Sequence, residues 1–483
     1  MAKIYPPQHI HLVGIGGSGL SAIARVLLGQ GYKVSGSDRA PNALTDALAR
    51  DGAAIYTGHD ASHISGADAL IITSAVKDDH VEVAAARAAG IPVYKRQDII
   101  ADLMEGKTVI AVAGTKGKTT TTSMIVHILR ECGQDPSCIV GGVMGSTGTN
   151  AGVGQGDVFV VEADEYENMF LGLRPDVAVI TNIEWDHPDF FKTPEAMVEA
   201  FEKFIHLLDK GAAGCGILAA CADSDLLRQL VLKCAGEGFG GGMYGFKEAA
   251  AHPALDGNFD YFRATNVVRD DAGFNVFEMV DEAADRVTVR LPVPGRHNIL
   301  NAVAALLATN AVGAWKSGVG VSFLEAAKAL ESFIPPARRF EVRADVNGIA
   351  IVDDYAHNPM SIRAVLEAAR QRYPERDIWA VWQPHTYSRT RALWDDFKTA
   401  FALADHVLVT DIYAAREQPV EGVNSAALAA VMPHPDARYT PAFADAVNAL
   451  CEGVTAPAAI IIMSAGDAPQ IGVDYLKRLE ARE

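Results

Sequence analysis

The sequence predicts an α/β protein with three domains, each built around a largely parallel sheet. Short apolar runs alternate with helical stretches along nearly the whole chain, which is the pattern of strands joined by crossover helices. The pattern restarts near residue 106 and again near residue 335, and a chain of 483 residues is too long for a single ordinary core. We therefore predict domains at residues 1–106, 107–334 and 335–483.

The composition is typical of a soluble globular protein and disfavours several functions. Hydrophobic residues make up 49% of the chain and charged residues 21%, while the formal net charge is −18. So acidic a chain is a poor general binder of nucleic acid, because phosphates must be neutralised by Lys and Arg. We see neither a run long enough to span a bilayer nor a signal peptide, and we expect a cytoplasmic protein without membrane insertion. The six cysteines form no Cys-x-x-Cys pair, which argues against a zinc ribbon or a redox motif.

The first domain begins with a glycine-rich turn between a strand and a helix. The sequence pattern indicates strands at residues 10–16, 33–38 and 69–76, and a helix at residues 18–31. Gly14-x-Gly16-x-x-Gly19 follows the first strand, and Asp38 ends the second, which is the dinucleotide-fold fingerprint in its proper context. The helix N-terminus after such a turn binds a pyrophosphate, so the loop suits NAD, FAD or a UDP-sugar equally. A nicotinamide oxidoreductase, or a tight turn without ligand, remains open at this point.

A second phosphate-loop pattern opens the middle domain. The apolar strand pattern at 107–114 leads into Gly117-Lys118-Thr119, and the helical run 119–132 follows. The spelling departs from the common G-x-x-x-x-G-K-[ST], but the mechanical parts are present. Glycine amides cradle phosphates, the lysine reaches the β- and γ-oxygens, and the threonine hydroxyl ligates Mg²⁺. Hydride transfer has no use for such a loop, so ATP or GTP chemistry is the leading class.

Acidic residues follow two further strand patterns of the middle domain. The run 157–167 ends in Glu162-x-Asp164-Glu165, and the run 176–187 ends in Asn182, Asp186 and His187. Ligands gather at the carboxyl ends of strands in α/β folds, and hard oxygen ligands suit Mg²⁺. Each cluster alone is as well explained by a solvated loop. Together with the Gly117 loop they predict a metal-nucleotide site.

The remaining elements complete the second and third domains. Residues 236–296 are rich in Gly and in alternating short strands, and we predict an antiparallel elaboration of the middle domain. After Pro335-Pro336, four apolar runs predict successive parallel strands at 348–357, 377–385, 405–413 and 458–466.

Nine sequence words along the chain resemble the Mur ligase family, with the folylpolyglutamate synthetases as more distant relatives. In order, they are HLVGIGGSGLS (11–21), AGTKGKTTTT (113–122), EADEY (162–166), TNIEWDH (181–187), GRHNILNAVAA (295–305), RRFE (338–341), VDDYAHNP (352–359), QPHTYSRTR (383–391) and DIYAARE (411–417). The resemblance spans nearly the whole chain. It implies a Rossmann-like UDP-binding domain, a central ATPase domain and a C-terminal Rossmann-like domain.

The resemblance also assigns binding residues. UDP-sugar binding, and not NAD binding, is implied for Gly16, Gly17, Ser18, Gly19, Asp38, His59 and Ser74. ATP binding is implied for Gly114, Thr115, Lys116, Gly117, Lys118, Thr119, Thr120, His297, Asn298 and Asn301, with Arg338 or Arg339 and Asp353 closing from the third domain. A polar helix start capped by Asn298 is the plain alternative for the His297 segment.

The implied activity is ATP-dependent amide-bond formation in peptidoglycan synthesis, and thus cell wall biogenesis, cell shape and division. A sugar carboxylate becomes an acyl phosphate, which an amine then attacks. Lys118, Glu162, His187 and Arg389 are the implied catalytic residues, and two Mg²⁺ ions are implied on Thr119, Glu162 and His187. Tyr355, His357, Arg389 and Arg391 are implied to bind the amino acid or the acyl phosphate. We expect a monomer or weak homodimer.

The sequence words that bear on the amino acceptor point to two different acceptors. The members that this chain most resembles add L-alanine to UDP-N-acetylmuramate. The words QPHTYSRTR and DIYAARE resemble those of the alanine-adding members. Lys116, EADEYENMF and EWDHPDFF look closer to a relative that attaches a whole tripeptide to the same sugar nucleotide. Because the acceptor binds in the third domain, we expect L-alanine. A non-catalytic sugar-nucleotide sensor is a further alternative.

Overall fold

The chain folds into three α/β domains, as the sequence predicts. The structure is a computed structural model that describes residues 4–73, 75–208, 216–247, 259–270, 273–315, 320–415 and 417–480. Sheets of five, ten and six strands follow one another along these residues. In the same part of the chain, no helix combines the length and apolar character needed to cross a membrane.

The first sheet is fully parallel, in the order β3-β2-β1-β4-β5. Its strands are β1 (His9–Val13), β2 (Lys33–Asp38), β3 (Ala54–Thr57), β4 (Ala69–Ile72) and β5 (Val93–Lys95). Its helices are α1 (Ser18–Gly29), α2 (Ala43–Arg50), α3 (Val81–Ala88) and α4 (Arg96–Ile99), with 3₁₀ turns at Ala61–Ile64 and Asp102–Met104. The strand order reverses at β1, so the glycine loop after β1 lies at the switch point where such sheets bind ligands. Strand β4 ends before the predicted residue 76, because its partner β1 ends at Val13.

The second sheet is built around β6, which carries the second glycine loop at its end. Its order is β15-β14-β13-β12-β11-β10-β6-β9-β7-β8. Its strands are β6 (Thr108–Ala113), β7 (Ser137–Ile139), β8 (Ala151–Gly152), β9 (Val158–Glu162), β10 (Val177–Ile180), β11 (Gly216–Cys221), β12 (Phe239–Gly245), β13 (Phe259–Arg269), β14 (Asn275–Val280) and β15 (Arg286–Leu291). Its helices are α5 (Lys118–Glu131), α6 (Pro194–Ile205), α7 (Asp225–Cys234), α8 (Arg296–Trp315) and α9 (Phe323–Leu330), with a 3₁₀ segment at Tyr166–Gly172. Both β9 and β10 flank β6 in parallel, so their acidic ends lie beside the loop.

The predicted antiparallel elaboration at 236–296 is wrong in its first part. Strand β12 pairs in parallel with both β11 and β13. Within the described residues of 236–296, the antiparallel pairs are β13-β14 and β14-β15. Alternation of apolar and polar residues indicates that a strand has one buried face, but it carries no information about the direction of its neighbours.

The third sheet has the order β16-β17-β21-β18-β19-β20, in which β16 alone is antiparallel to its neighbour. Its strands are β16 (Glu341–Val346), β17 (Ile349–Asp354), β18 (Asp377–Trp382), β19 (His406–Val409), β20 (Ala437–Tyr439) and β21 (Ala458–Met463). Its helices are α10 (Pro359–Arg372), α11 (Tyr387–Ala392), α12 (Trp394–Lys398), α13 (Ser425–Ala430), α14 (Phe443–Gly453) and α15 (Pro469–Glu480). The four predicted strands are therefore parallel, but the last of them, β21, lies between the first two.

Packing joins the first two domains more closely than the third. Buried apolar side chains on one face of the first sheet and those of the second sheet belong to one continuous cluster that runs from Ile4 to Phe333. The other face of the first sheet has a small separate cluster around Leu70. The third sheet has a separate buried cluster on each face, around Trp382 and Trp379. Polar side chains connect the second and third domains, Thr119 with Arg339 and Asp186 with Asn358, and the candidate site lies there.

Candidate active site

A cavity of about 740 Å³ lies between the second and third domains. It is bounded by the loop after β6, the ends of β9 and β10, the start of α8 and the third domain. Most residues predicted for ATP and acceptor binding line it, namely Thr115, Lys116, Gly117, Lys118, Thr119, Thr120, Glu162, His187, His297, Asn298, Asn301, Arg339, Tyr355, His357 and Arg389. Ser18 of the first domain also reaches its wall. Segments distant in sequence therefore converge on one space.

The second glycine loop has a backbone that requires glycine at two positions. Gly114 and Gly117 have φ values of 131° and 86°, in the left-handed region. A Cβ at Gly117 would lie 2.5 Å from Oδ1 of Asn301, so α8 packs directly on the loop. Nζ of Lys118 donates to the Gly114 carbonyl and to Oε2 of Glu165, each at 2.6 Å. The lysine is thus held above the loop by Glu165, which belongs to the acidic strand end predicted for the metal-nucleotide site.

The charges around Lys118 are strongly coupled. Burial alone would lower the pKa of Lys118, but Glu165, Asp164 and Glu162 outweigh it and raise that pKa. Burial raises the pKa of Glu165 to about 7, despite the opposing effect of Lys118. Burial likewise raises the pKa of Glu162. Three carboxylates therefore face one lysine, an arrangement that further cations would stabilise.

Oxygen ligands suited to a divalent cation meet at the start of α5. Oγ1 of Thr119 lies 3.0 Å from Oε1 of Glu162, and the Gly141 amide donates to Oε2 of the same carboxylate at 2.6 Å. Nε2 of His187 lies 3.8 Å from Oε1 of Glu165. Burial lowers the pKa of His187, which favours the neutral imidazole that metals bind. The three residues predicted as metal ligands thus lie on the same cavity.

Asp186, one of the strand-end residues predicted for the metal-nucleotide site, joins the second domain to the third. Its carboxylate accepts from Nζ of Lys116 at 2.7 Å and from Nδ2 of Asn358 at 3.2 Å, and Nε of Arg389 lies 3.4 Å away. Burial opposes its ionisation, yet Lys116 and Arg389 hold the pKa of Asp186 well below its ordinary value. The sequence did not show that Asp186 links Lys116 to Arg389.

The third domain supplies a cluster of imidazole and guanidinium groups. Nη1 of Arg389 lies 3.1 Å from Nδ1 of His385, and the His385 and His357 rings are 5.9 Å apart. Burial and Arg389 lower the pKa of His385 to about 4, and they hold that of His357 well below its ordinary value. Arg391 does not join this cluster and is exposed, because positions two apart on α11 point to different sides of the helix.

Of the two residues predicted to close over ATP from the third domain, Arg339 lines the cavity and Asp353 does not. Nη2 of Arg339 lies 3.4 Å from Oγ1 of Thr119, so Arg339 reaches the glycine loop across the domain boundary. Asp353 instead lies 3.4 Å from Nε of Arg338 and does not line the cavity. Asp354 lines it, and burial raises its pKa to about 6.

The residues predicted to bind the UDP-sugar lie together on the first domain. The Gly16 amide donates to Oδ2 of Asp38 at 2.8 Å, and Nδ1 of His59 lies 3.0 Å from Oγ of Ser37. Gly17, Ser18 and Gly19 begin α1 beside them. Ser74, the remaining member of the set, lies outside the described residues.

Glu82 is a fully buried carboxylate beneath this set, and the sequence analysis missed it. Ser37 and His63 donate to it at 2.6 and 3.0 Å, and Nε2 of His11 lies 3.6 Å away. Burial opposes the charged form, but hydrogen bonds from His11, Ser37 and His63 prevail and lower the pKa of Glu82 to about 2. A glutamate in the first turn of a helix gives no sequence signal for such a role.

Glu82→Gln is expected to destabilise the first domain in a pH-dependent way. The folded pKa of about 2 lies below the ordinary 4.5, so the carboxylate contributes stability above pH 4.5 that is lost as pH falls toward 2. The shift corresponds to roughly 3 kcal/mol at pH 7. Urea unfolding, followed by pulsed hydrogen exchange in peptides of β1 and β2, gives the free energy of unfolding of each protein. The difference in this free energy between the wild type and Glu82→Gln should narrow below pH 4.5. Glu105→Gln, at an exposed glutamate, is the control. A difference in unfolding free energy that widens with acid would refute the lowered pKa of Glu82.

Comparisons with known proteins agree along the whole chain. Family models match in three consecutive parts: "Mur ligase family, catalytic domain" at 9–108, "Mur ligase middle domain" at 112–309 and "Mur ligase, glutamate ligase domain" at 338–466. The UDP-N-acetylmuramate–L-alanine ligase of Desulfosudis oleivorans is 38% identical, with 98% of each chain covered. The enzyme of the same name from a Roseiflexus species is 40% identical, covering 98% of this chain and 100% of that one.

Solved structures of ligases are also similar to this chain over nearly its whole length. The UDP-N-acetylmuramate–alanine ligase of Thermotoga maritima is 26% identical, with a TM-score of 0.77 over 98% of this chain and 100% of that one. A murein peptide ligase of Psychrobacter arcticus is 24% identical, with a TM-score of 0.67 over 97% of this chain and 98% of that one. The second likeness concerns the fold alone.

Proposed function

This chain belongs to the Mur ligase family, and we propose that it is the ATP-dependent ligase that joins L-alanine to UDP-N-acetylmuramate in peptidoglycan synthesis. The observation that carries the proposal is the single cavity on which the glycine-loop lysine, the acidic strand ends and the third-domain arginines meet. The two full-length relatives at 38% and 40% identity carry this activity in their names.

The chemistry requires a cationic site for two anions. A carboxylate does not react with an amine at neutral pH, because oxide is too poor a leaving group. Attack of a carboxylate oxygen on the γ-phosphorus of ATP releases ADP and yields an acyl phosphate; attack by the amine then releases phosphate and forms the amide. The first step brings two anions together, so cations and positioning supply most of the catalysis. Lys118 would neutralise the γ-phosphate, and Arg389 would hold the acyl phosphate or the acceptor carboxylate.

The donor atoms of this cavity also fit Mg²⁺. Thr119 and Glu162 present hydroxyl and carboxylate oxygens to one point, which are ligands that Mg²⁺ prefers. His187, with its pKa lowered, would serve a second ion on the side of Glu165. When bound, Mg²⁺ offsets the repulsion between the sugar carboxylate and the γ-phosphate. Arg339 would close over the same phosphates from the third domain.

The first glycine loop would bind the UDP part of the sugar nucleotide. Its amides open α1, and the N-terminus of a helix favours phosphate. Asp38, which is already held by the Gly16 amide, would fix the ribose end of the site. Ser18 belongs to this loop and also reaches the large cavity, which supports one extended substrate passing from the first domain to the ATP site.

The acceptor identity gives a direct test. With ATP, Mg²⁺ and UDP-N-acetylmuramate, phosphate release is expected to be fastest with L-alanine, slower with Gly and Ser, and negligible with the tripeptide. A pocket fitted to one methyl group rejects larger acceptors sterically, but separates alanine from glycine by only ~1–3 kcal/mol. Reactions lacking either the sugar nucleotide or the amino acid are the controls. Faster turnover with the tripeptide would overturn the alanine assignment, and reduction of NAD without ATP turnover would overturn the reaction class.

A further inference from the structure

Arg96 is an arginine without a charge partner beside the first glycine loop. It begins α4, and within the described residues its side chain makes neither an ion pair nor a hydrogen bond. Its Nε is buried and unsatisfied. Arg87 of the same domain, in contrast, pairs with Asp78 at 2.7 Å although it is exposed. A partly buried guanidinium left without an acceptor is costly, which indicates that an anion belongs there.

The position of Arg96 explains the last glycine of the first fingerprint. Gly19 lies inside α1 and has no left-handed backbone that would demand glycine. A Cβ built on Gly19, however, would collide with Nη1 of Arg96. The guanidinium therefore lies directly against the first turn of α1. The arginine occupies the space that a side chain at this position would take, so any larger residue would displace it.

Arg96 also lies on a cavity that connects two domains. This cavity of about 220 Å³ has Ser18, Gly19 and Arg96 on one side, and Gly141 and Glu162 of the second domain on the other. Glu162 belongs to the ATP site, and Ser18 lines both cavities. The unpaired guanidinium thus lies on a path between the first glycine loop and the ATP site.

We propose that Arg96 binds the diphosphate of the sugar nucleotide, together with the first turn of α1. The inference rests on the proposed function, because it deepens the UDP-sugar site. A diphosphate fits better than the sugar carboxylate, since the guanidinium touches the helix turn whose amides favour phosphate, whereas the carboxylate must reach Lys118. A guanidinium pairs with phosphate through two parallel hydrogen bonds, and Gly19 leaves room for that approach.

Arg96→Gln tests the proposal by calorimetric titration of the full chain with UDP, uridine and ATP. The variant is expected to bind UDP roughly 10- to 100-fold more weakly than the wild type, which is the effect of losing hydrogen bonds to a charged group. Affinities for uridine and for ATP should be unchanged, because neither ligand places a diphosphate there. The control is Arg87→Gln, an exposed arginine of the same domain, which should bind all three ligands normally.

Gly19→Ala supplies a second, independent variant. The added methyl group must displace the Arg96 side chain, while the helical backbone accepts alanine. UDP affinity should therefore fall in Gly19→Ala, but fall little further when the same change is made in the Arg96→Gln background. Such non-additivity shows that the two residues act through one contact.

Several results would overturn the proposal. Unchanged UDP affinity in Arg96→Gln would do so, and so would an equal loss of UDP and uridine, which indicates a structural role. Fully additive effects of Gly19→Ala and Arg96→Gln would separate the two residues. Failure of the wild-type chain to bind UDP would refute both this proposal and the UDP-sugar site. Turnover of wild-type protein with L-alanine reports on the proposed function separately, because UDP binding needs no acceptor.

Discussion

Lys118→Ala is expected to abolish ligation, with a fall in kcat of at least roughly 10²- to 10³-fold, the usual cost of removing one charged or hydrogen-bonding group from a developing anion. Lys118 is the cation held by Glu165 and faced by Glu162. Without it, these carboxylates would repel the γ-phosphate. Formation of the acyl phosphate, measured as sugar-nucleotide-dependent ADP release, should be lost together with amide formation.

The binding of UDP by the first domain should survive this change. The two glycine loops belong to different sheets, and Lys118 makes its contacts within the second domain. Lys233→Ala is a matched control, because Lys233 pairs with Glu202 at the same 2.6 Å but on the exposed surface, and its loss should leave kcat intact. A Lys118→Ala protein that lost UDP binding as severely as ATP binding would contradict the division of substrates between the domains.

Asp186→Asn is expected to cause the second large loss, in the use of the amino acceptor. The substitution removes the carboxylate that the half-buried Lys116 and the buried Arg389 share. Arg389 would then lose one of the contacts that fix its position, and a misplaced positioning group costs on the order of 10²-fold in rate, so kcat/KM for L-alanine should fall by about that factor. UDP affinity should be unchanged. Because Asp186 also accepts from Asn358, hydrogen exchange at the start of α10 and in α11 should increase.

Asp345→Asn provides the comparison for this variant. Asp345 pairs with Arg376 at 2.9 Å, but the pair lies on the surface of the third domain, so its loss should leave kcat/KM nearly unchanged. If Asp186→Asn kept the wild-type kcat/KM for L-alanine, Asp186 would be a passive neighbour of Arg389. Equal losses in the two variants would point to general destabilisation of the third domain.

Much of the site could be predicted because its parts are local. Gly114 and Gly117 adopt a backbone that only glycine accepts readily, and Lys118 follows them directly, so a short word encodes a complete phosphate loop. The acidic ends of β9 and β10 lie beside that loop because parallel strands that flank β6 must end at the same edge. Local spelling and sheet geometry were therefore enough to predict that Thr119, Glu162 and His187 share a site.

Long-range contacts could not be predicted in this way. Asp353 and Asp354 follow an apolar run that is buried on both faces, so no alternation shows which carboxylate faces the cavity. Arg389 and Arg391 share one short helix, and only its packing decides which of them turns inward. Glu82 and Asp186 acquire their roles from partners that lie far away in sequence.

By itself, the sequence determined the α/β class, the two restarts of the strand–helix pattern, the two glycine loops and the family, because each of these depends on contiguous residues or on the period of apolar positions. Only the tertiary structure decided the insertion of β21 between β17 and β18, the parallel pairing of β12, the carboxylate that joins Lys116 to Arg389, and the contact of Arg96 with Gly19. The physical reason is that strand order and buried charge pairs are selected by the free energy of packing the whole chain. A local pattern constrains a segment's own conformation, but it leaves the partner of that segment open.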